Sequence, residues 1–564
     1  MRGLEGIARL GRVLGRLRAA QVRARLGMRW KQWRFGRRGF GVVGSAGRAG
    51  LATDWRKRIA ALRGGHHARV GFMEVAGHRF AGNEAWCLLG AGRSRRHARE
   101  LPRLELWYHS FLPGWEEGWE FVRGYLADFP ARTGDRVHEW HPYSVSNRLA
   151  YWLEFVASGA PGGTPEMEDE ALGFCRRLTD FIEWIPELDI GANHLLKNRW
   201  AIALSDMVLE PLEGRRVASL RSYLGELESQ LLGDGAHYEL CPMYHAKVLD
   251  DARRMAGLIR AGTEESSRMA AMLARMEGWL ELMRLGSRRW ANFNDSWDIP
   301  SLASSLWGHA GDEEVHSPAS GVVHSRESGF VRGTSRGGWR WLMDVGGVGP
   351  SFNPGHCHSD VLSMVLSLGE DEVVVDPGTL HYSPNDERAF LKSCQAHNGP
   401  CMADEDHTEM VGSFRVGRAA RGEGQVLERG EELQCAEGWH RGYPGCEVRR
   451  KVTVERGRAT VEDSWECGGA LRHRPWSRWL WPIRLEDARD IEVGKTSMGF
   501  GFPSGHRLSG LRVRVEATGF SSPRMCLGEG FRSAEFGRSL PAVEGIVVGG
   551  RDGRRAGLRV TMEL

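Results

Sequence analysis

The sequence predicts a multidomain α+β protein in which a helical part precedes a part built from layered antiparallel sheet. Three observations support this fold class. The chain has 564 residues, which is room for roughly two to four domains. Apolar residues recur at three-to-four spacing between about residues 145 and 290, as in packed helices. Beyond about residue 325 the pattern changes to the alternation that is typical of strands.

The first 40 residues form a distinct basic segment with 12 Lys and Arg residues and one acid. Its apolar residues recur at helical spacing between arginines: Leu4, Ile7, Leu10, Val13, Leu14 and Leu17. This pattern predicts a basic amphipathic helix, which either packs on its own protein or lies on an anionic membrane surface. The segment lacks the continuous apolar stretch of a secretory signal. We therefore expect a cytoplasmic or membrane-peripheral protein, with a periplasmic location left open.

Residues 41–310 are predicted to form a helical catalytic domain with an irregular lead-in over 41–144. Six helical segments follow that lead-in, from "NRLAYWLEFV" to "SSRMAAMLARMEGWLELMRL", with short Gly, Pro and Asp breaks between them. The polar stretch "HAGDEEVHSPASG" at 309–321 is interpreted as a linker.

Residues 320–564 are predicted to form the sheet domain. Strand-like stretches include "GWRWLMDVGG", "VLSMVLSL", "DEVVVDPGT", "EVRRKVTVE" and "RATVEDSWE". We find no convincing helix longer than three turns beyond residue 400, so the sheets are expected to pack on each other.

Composition argues against several classes of protein, among them nucleic-acid-binding and membrane-spanning proteins. The net charge of +4 is small and no recognition motif for nucleic acid is present, so nucleic acid is not expected as a partner. No apolar run is long enough to cross a membrane. The 10 cysteines have no CxxC pair or regular spacing, which predicts reduced packing cysteines and not a disulfide framework. The 22 tryptophans give weak support for a carbohydrate-binding cleft.

Two polar stretches precede predicted helices. In "GANHLLKN" (191–198), Asn193 and His194 come directly before an apolar helical run, where Asn193 would serve as an N-cap if its role is structural. The stretch "DGAHYELCPMYHAKVLDD" (234–251) is dense in aromatic and ionisable side chains. These are His237, Tyr238, Glu239, Tyr244 and His245. Such density indicates either packing at a helix entrance or a functional site.

Two further stretches lie in the sheet part. In "GHCHSD" (355–360), His356, His358 and Asp360 alternate and would share one face of an extended segment. Asp376 ends a strongly apolar strand, and His397 follows 21 residues later. His358, Asp376 and His397 are a ligand set that suits zinc. The alternative is a histidine-rich turn before a buried strand.

The motifs "NHLL", "DGAHYELCPMYH", "GHCHSD", "DPGT" and "AHN", in this order, resemble the heparinase II/III family of polysaccharide lyases. "LWYHSF" and "WHPYSVSNRLAYW" resemble the family's N-terminal region. By motif, the resemblance covers about residues 100 to 415. It implies an incomplete (α/α) toroid followed by an antiparallel β-sandwich. It also implies cleavage of a uronic-acid-containing polysaccharide by β-elimination to a 4,5-unsaturated product.

The resemblance also implies site roles. Asn193 and His194 match the pair that engages the substrate carboxylate. Tyr244 matches the tyrosine that acts as acid and possibly also as base, and His356 the histidine that acts as base or polarises the site. We expect these four side chains to converge on one cleft.

The remaining predicted site residues fall into two groups. The substrate-binding group comprises His237, Tyr238, Glu239 and His245. The metal group comprises His358, Asp376 and His397, which match the ligands of family members that bind zinc, here expected to be structural.

Two lysines depart from the family pattern and keep other functions open. Lys197 stands where an acid is common, and Lys392 precedes "AHN" in "LKSCQAHNG". One alternative is a non-catalytic glycan-binding or exopolysaccharide-assembly protein. Another is a glycoside hydrolase, which needs two carboxylates, whereas Glu239 is the only obvious acid in these motifs. The sequence leaves the identity of the acidic polysaccharide and the oligomeric state open.

Overall fold

The structure is a computed structural model. It describes residues 8, 11–13, 15–38, 51, 53–54, 57–58, 73–75, 78–80, 119, 123, 140–158, 162–286, 289–307, 320–469, 474–518, 520, 522–535, 538–550 and 554–564. The chain divides into two compact units. The helical unit comprises Leu17–Leu231 and Lys247–Ala274, and the sheet unit comprises Met1–Arg16, Leu232–Ala246 and Arg275–Leu564. Residues 232–246 and 275–310 thus belong with the sheets, although the sequence predicted a helical domain up to residue 310.

The described helices from residue 142 onwards confirm the predicted helical run between residues 145 and 290, and one further helix precedes them. They are α1 (Ala19–Arg38), α2 (Pro142–Ser158), α3 (Pro165–Trp184), α4 (Ala192–Leu209), α5 (Glu213–Gln230), α6 (Pro242–Ala256) and α7 (Glu264–Leu282). Their boundaries follow local chemistry. For example, Thr164 caps α3 by accepting a hydrogen bond from the Met167 amide, and Pro165 occupies the first turn.

Helix α4 is the central element of the helical unit, where it packs against α2, α3 and α5. It is buried nearly all round, as expected of a helix enclosed by others. The helix begins at Ala192, so Asn193 is its second residue and not the N-cap. Gly191 precedes it with a positive φ of 67°, a backbone conformation that glycine adopts without steric cost.

The sheet unit confirms the predicted change to strands. Its short early elements are β3 (Arg284–Gly286), β4 (Arg289–Trp290) and helix α8 (Pro300–Trp307). A five-stranded sheet follows, made of β5 (Gly321–Ser325), β6 (Phe330–Thr334), β7 (Trp339–Asp344), β8 (Met364–Leu368) and β9 (Asp371–Val374). The short helix α9 (Asp386–Lys392) comes next.

Two larger groups of strands complete the unit. The eight-stranded sheet has the order β13-β14-β15-β16-β23-β20-β19-β18. Its strands are β13 (Gly422–Arg429), β14 (Gln434–Tyr443), β15 (Cys446–Glu455), β16 (Arg458–Cys467), β18 (Arg489–Val493), β19 (Ser497–Gly501), β20 (Arg512–Thr518) and β23 (Arg555–Glu563). The four-stranded sheet has the order β10-β17-β22-β21. Its strands are β10 (Pro400–Met402), β17 (Pro475–Trp481), β21 (Arg524–Glu535) and β22 (Arg538–Val548).

The smaller pairs are β1 (Met73–Val75) with β2 (His78–Phe80), β3 with β4, and β11 (Met410–Val411) with β12 (Arg415–Val416). Every pairing between the described strands is antiparallel. Beyond residue 400 the described residues contain no helix longer than one short turn, as predicted.

A single hydrophobic core joins the three large sheets. It includes Trp341 from β7, Val452 from β15, Trp481 from β17 and Val560 from β23, all of them buried. In β15, buried and partly exposed residues alternate along the strand, as in a sheet that covers a core with one face. The architecture is therefore the incomplete (α/α) toroid followed by an antiparallel β-sandwich that the sequence predicted.

One cysteine pair corrects the prediction that all cysteines are reduced. Cys446 and Cys467 form a disulfide, although they lie 21 residues apart without a recognisable motif. They stand directly opposite each other in the β15–β16 pair, with 4.1 Å between their Cα atoms. Strand register, which spacing alone does not show, places the two thiols together. Of the other described cysteines, six are buried free thiols and Cys526 is an exposed one.

Several sequence predictions lie outside the described residues. These are most of the lead-in over 41–144, most of the linker at 309–321, and the apolar residues Leu4, Ile7, Leu10 and Leu14. Among the described helices, none has the length and apolar character needed to cross a bilayer.

Candidate active site

The sheet unit fixes the segment that carries Tyr244 at the first turn of α6. The side chain of Asn294 donates a hydrogen bond to the Leu240 carbonyl at 2.9 Å, and the Ser296 hydroxyl accepts one from the Met243 amide at 3.2 Å. The Asn294 side-chain oxygen also accepts from the amide of His358 at 2.9 Å. One asparagine thus joins the Tyr244 segment to the "GHCHSD" loop.

Tyr244 lies on the imidazole of His356. The two rings are stacked with centroids 4.1 Å apart and planes inclined by 29°. The Tyr244 hydroxyl is 3.0 Å from the hydroxyl of Tyr382, close enough for a hydrogen bond. The guanidinium of Arg388 lies over the Tyr382 ring at 5.2 Å. A phenolic hydroxyl and an imidazole therefore lie next to each other, and both groups can act as general acid or general base.

Asp295 is the buried anchor of this site. Its Oδ2 is 3.0 Å from Nδ1 of His356, and its Oδ1 is 2.8 Å from Nε2 of His358. Arg388 donates to both oxygens, at 2.6 and 2.9 Å. Burial disfavours the charged carboxylate, but the charges of Arg388 and Lys392 and the histidine hydrogen bonds outweigh it, so the pKa of Asp295 lies well below its usual value. Because Asp295 accepts the Nδ1 proton of His356, the Nε2 of a neutral His356 can accept a proton.

The "GHCHSD" loop is not the strand on which its alternation was interpreted. Gly355 and His356 form a turn, and the following residues are irregular. His356 and His358 nonetheless reach the same side, because both contact Asp295. Lys392 holds the loop in place, because its ammonium donates to the carbonyl of Gly355 and to that of Ser413, at 3.1 Å each. Burial lowers the pKa of Lys392 to about 8. This departure from the family pattern is thus a structural anchor of the loop.

The predicted zinc ligands lie partly together. His397 donates from Nδ1 to Asp376 at 2.8 Å, and its ring centroid is 5.2 Å from that of His358. The other oxygen of Asp376 accepts from the Gly378 amide at 2.9 Å. Nδ1 of His358, Nε2 of His397 and Oδ2 of Asp360 are potential metal-ligand atoms, and they are among the buried side-chain atoms of the described residues that have no hydrogen-bond partner.

Two imidazole nitrogens and a carboxylate oxygen are chemically suited to zinc. In this arrangement Asp376 orients His397, as carboxylates do behind metal-bound histidines. However, His358, Asp376 and His397 are not among the groups of described residues whose ligand atoms all lie within 4.8 Å of one another. Zinc at this place stays a prediction.

A second polar cluster lies in the helical unit around Glu187. Its Oε1 is 2.8 Å from Nδ1 of His194 and 3.3 Å from Nδ1 of His141. Its Oε2 accepts from the side chain of Asn198 at 3.1 Å, while the Asn198 oxygen accepts from the Glu187 amide at 2.9 Å. The ring of Tyr143 lies 4.6 Å from that of His194. His141, Glu187 and His194 also form a possible metal-binding triad, with ligand atoms within 4.8 Å of one another.

The charge on Glu187 is balanced by its histidines. Glu187 is fully buried. Burial raises its pKa, but the interactions with His141, His194 and Asn198 outweigh burial and leave the pKa below the usual value. The group is therefore a carboxylate, although burial outweighs its charge at His141 and lowers the pKa of that imidazole. A carboxylate hydrogen-bonded to Nδ1 also fixes the orientation of His194.

His237 and His245, for which the sequence predicted substrate contact, lie in the interior of the sheet unit. Both side chains are fully buried. His245 donates from Nε2 to the Met276 carbonyl at 2.9 Å and accepts from the His237 amide at 3.1 Å, so neither ring nitrogen is left for a ligand. Burial lowers the pKa of His245 to about 4, which keeps the ring neutral. These histidines pack the loop before α6.

The other members of that group stay predictions. Glu239 is 4% exposed, and Tyr238 is half-buried with its ring 5.9 Å from that of Phe352. Asn193 and His194 belong to the helical unit, whereas Tyr244 and His356 belong to the sheet unit. The predicted convergence of these four residues therefore also stays a prediction.

Lys197, the other departure from the family pattern, serves the interior of the helical unit. Its ammonium donates to both carboxylate oxygens of Asp251 at 2.8 Å and lies 4.0 Å from the ring centroid of Trp200. Burial lowers the pKa of Lys197, against the charge of Asp251. The lysine is thus neutralised internally by Asp251.

Sequence reasoning missed four residues of these clusters: Glu187, Asp295, Tyr382 and Arg388. The backbone conformation marks these site segments in a way that the sequence does not show. Ala192, Leu240 and Asn294 have positive φ values of 50°, 55° and 60°, and each directly precedes or follows a site segment. Such conformations are costly for residues other than glycine and often mark functional sites. In the sequence, the stretch "NFNDSWD" between helix and sheet, which is rich in Asn and Asp, was the only indication of Asp295 that we find.

Comparison with solved structures shows which class of proteins shares this fold. A structure titled heparinase III aligns with a TM-score of 0.68 and 14% identity over 92% of this chain and 86% of that chain. The heparan sulfate lyase HepC from Pedobacter heparinus aligns with a TM-score of 0.56 and 14% identity over 96% of this chain and 88% of that chain. The toroid-plus-sandwich fold is therefore that of the heparinase-type polysaccharide lyases.

Comparison with protein families then gives a match for the sheet-rich part of the chain. Residues 318–556 match the family model described as Heparinase II/III-like, C-terminal. This match confirms the resemblance that the sequence motifs suggested and includes His356, His358, Asp376 and His397. No curated protein matches the chain significantly.

Proposed function

We propose that the protein is a lyase that cleaves a uronic-acid-containing polysaccharide by β-elimination and leaves a 4,5-unsaturated sugar. The observation that carries this proposal is the pairing of Tyr244 with His356, with Tyr382 on the phenol and Asp295 on the imidazole. The heparinase-type fold and the C-terminal family match support the same class.

The chemistry has three requirements. The C5 proton, next to the uronate carboxylate, is weakly acidic, so the charge that develops on the carboxylate must be stabilised. A base must take this proton, and an acid must give a proton to the departing O4 oxygen. The C5–H and C4–O bonds break while the C4–C5 double bond forms. The electron pair of the C5–H bond becomes that double bond, and no external oxidant is needed.

Tyr244 and His356 have the groups for the two proton transfers. Nε2 of His356 accepts a proton because Asp295 holds the proton on Nδ1. The Tyr244 hydroxyl donates a proton to the leaving oxygen, and Tyr382 is positioned to share the resulting charge through its own hydroxyl. Tyr244 also serves as base if the C5 proton faces it.

Asn193 and His194 have the proposed role of engaging the uronate carboxylate. Glu187 contacts Nδ1 of His194 and so orients the ring, and an imidazole in its protonated form is a strong hydrogen-bond donor to a carboxylate. The proposed partner is therefore an acidic polysaccharide. The relatives are titled heparinase III and heparan sulfate lyase, which makes heparan sulfate one candidate beside alginate and other uronates.

We further propose structural zinc at the histidine pair of the sheet unit. His358, His397 and Asp360 have buried donor atoms without a partner among the described residues, and Asp376 orients His397. Zinc, when bound, would supply a cross-link between the "GHCHSD" loop and the segment that carries His397.

The test is a screen of purified protein against uronic-acid polysaccharides, read by the ultraviolet absorbance of the unsaturated product. We expect absorbance to rise with at least one polymer and not with the Tyr244→Phe variant. New reducing ends without the chromophore would indicate a hydrolase. Tight binding without either product would indicate a glycan-binding protein. Either result would overturn the lyase proposal.

A further inference from the structure

Helix α1 (Ala19–Arg38) presents an exposed apolar stripe made of Val22, Leu26, Trp30 and Trp33. These side chains are 47%, 67%, 53% and 55% exposed, respectively. Their spacing of four, four and three residues places them on one face of the helix. Large apolar side chains that are exposed together, two of them tryptophan, indicate a surface that binds a partner.

The opposite face of α1 attaches it to the helical unit. Gln21 is buried and donates from its side chain to the Asp189 carbonyl at 3.3 Å. Met28 is buried as well. The Lys31 ammonium donates to the Trp184 carbonyl and lies over the Trp184 ring. The stripe therefore lies opposite the face by which the helix packs on the described residues of its own unit.

The stripe is bordered by positive charge on both sides. At 3.6 residues per turn, Arg25 and Arg29 lie along one edge and Arg23 and Arg34 along the other. The Arg34 guanidinium is 4.6 Å from the ring centroid of Trp30. The helix, "AAQVRARLGMRWKQWRFGRR", contains seven basic residues and no acid. Because the net charge of the whole chain is only +4, this charge is a local property of α1.

We propose that α1 binds the surface of an anionic lipid bilayer, with its axis parallel to the membrane. Leu26 and Val22 gain by leaving water for the acyl boundary, and tryptophan prefers the headgroup level. The bordering arginines extend their charged ends to lipid phosphates while their stems stay apolar. An acidic polysaccharide would stack on the tryptophans but offers no apolar partner to Val22 and Leu26. A second copy of α1 would bring like charges together.

The test is flotation of the full chain with vesicles of phosphatidylcholine, with or without phosphatidylglycerol. We expect the protein to float with the anionic vesicles and about tenfold less with neutral ones, because anionic lipid supplies the electrostatic part of binding. The Leu26→Glu/Trp30→Glu variant should lose flotation about tenfold or more, since it removes apolar contact and adds repulsion. Arg25→Glu/Arg29→Glu should lose the preference for anionic lipid.

Leu427→Glu/Ile491→Glu is the matched control, because these exposed apolar residues lie on the sheet unit at 45% and 47% exposure. It should float like the original protein. All variants are exposed at the changed positions, and a thermal melt checks that each is folded.

Three outcomes would overturn the proposal. The first is that the original protein does not float with phosphatidylglycerol vesicles. The second is that a dimer is dissociated by Leu26→Glu/Trp30→Glu without any effect on flotation. The third is that alginate retains the protein through Trp30 while vesicles do not. None of these outcomes depends on lyase activity, so the failure of this inference and that of the proposed function are distinguishable.

Discussion

His356 and Asp295 are joined twice, although 61 residues separate them along the chain. The imidazole Nδ1 of His356 is 3.0 Å from the Asp295 carboxylate, and the backbone amide of Asp295 donates to the carbonyl of His356 at 3.1 Å. A side-chain contact that is reinforced by a backbone contact between the same two residues fixes both the position and the rotation of the ring. The sheet unit thus holds its candidate base before any substrate arrives.

Tyr244→Phe should remove the proposed acid while leaving the fold intact. We expect kcat to fall by about 10²–10⁴-fold, the range of general acid–base catalysis. The free energy of unfolding should change by only about 1 kcal/mol, because a single hydroxyl contact is lost. Tyr382→Phe removes the other hydroxyl of the pair and should have a smaller effect on kcat. Equal kcat for Tyr244→Phe and the original protein would contradict the role of Tyr244.

Asp295→Asn should lower stability and activity together. It leaves the Arg388 guanidinium buried without its carboxylate, and breaking such a pair costs about 3–5 kcal/mol. The Asp295→Asn/Arg388→Met double variant should regain part of the free energy of unfolding, measured in urea, because the unpaired charge is gone. It should not regain activity, since His356 still lacks the negative charge of its carboxylate partner. A double variant with restored activity would show that Asp295 acts only through Arg388.

Glu187→Gln should weaken catalysis by changing the orientation of His194 and removing the negative charge beside its ring. Loss of a carboxylate behind a functional histidine typically costs about 10–100-fold in activity. Glu183→Gln is the matched control on the same stretch of chain, because Glu183 makes a partly exposed ion pair with Arg215. Ion pairs that solvent reaches contribute about 0–1 kcal/mol, so the control should keep full kcat/KM. Equal losses in both variants would point to a general effect on α3.

Metal removal tests the histidine pair of the sheet unit. Purified protein should contain zinc, and a chelator should lower the melting temperature, because a metal bound only by the folded state stabilises that state. His358→Ala should lower both melting temperature and activity and should abolish the effect of the chelator on melting, whereas His356→Ala should lower activity and keep that effect. If no metal is found and the chelator has no effect, the site is a hydrogen-bonded histidine cluster, and the lyase proposal is unaffected.

Asp298 should make stability depend on pH. Burial first, and then the charge of Glu372, raise its pKa from 3.8 to about 6. The folded state therefore holds this proton more tightly than the unfolded state, and the contribution to stability is lost as pH rises from about 4 to about 6. Asp298→Asn should be more stable than the original protein at pH 7, by on the order of 2 kcal/mol, with no difference near pH 3.

Asp298 and Asp371 line one cavity of the sheet unit. The control for Asp298→Asn is therefore Asp371→Asn, which changes a partly exposed carboxyl in that cavity. It should not reproduce the pH-dependent gain. Urea unfolding of the three proteins across this pH range gives the comparison. A constant difference between Asp298→Asn and the original protein at all pH values would contradict the titration of Asp298.

The fold was predictable because its signals repeat. Helix α3 combines a cap at Thr164, a proline in its first turn and a periodic apolar face, and β15 alternates over its whole length. Each signal is weak, but many agree along the chain. The disulfide between Cys446 and Cys467 was not predictable in this way, because it depends on the register of two strands.

The site was predictable only where motifs marked it. Tyr244 and His356 were identified by family resemblance, and the structure brings their rings together. Asp295 had no such mark, since its importance arises from a left-handed backbone at Asn294 and a partner 61 residues away. The density of ionisable groups around His237 and His245 does not tell whether a side chain points to solvent or to the core, and both of these side chains lie in the core.

The position of β23 has a consequence for biogenesis. This strand is synthesised after every other strand of the eight-stranded sheet, yet it pairs with β16 on one side and β20 on the other. Until it emerges from the ribosome, β13–β16 and β18–β20 are two separate half-sheets, each with an unpaired edge open to wrong partners. Chaperone protection during translation should therefore matter most in the interval before β23 closes the sheet, and chain termination just before Arg555 should yield aggregates.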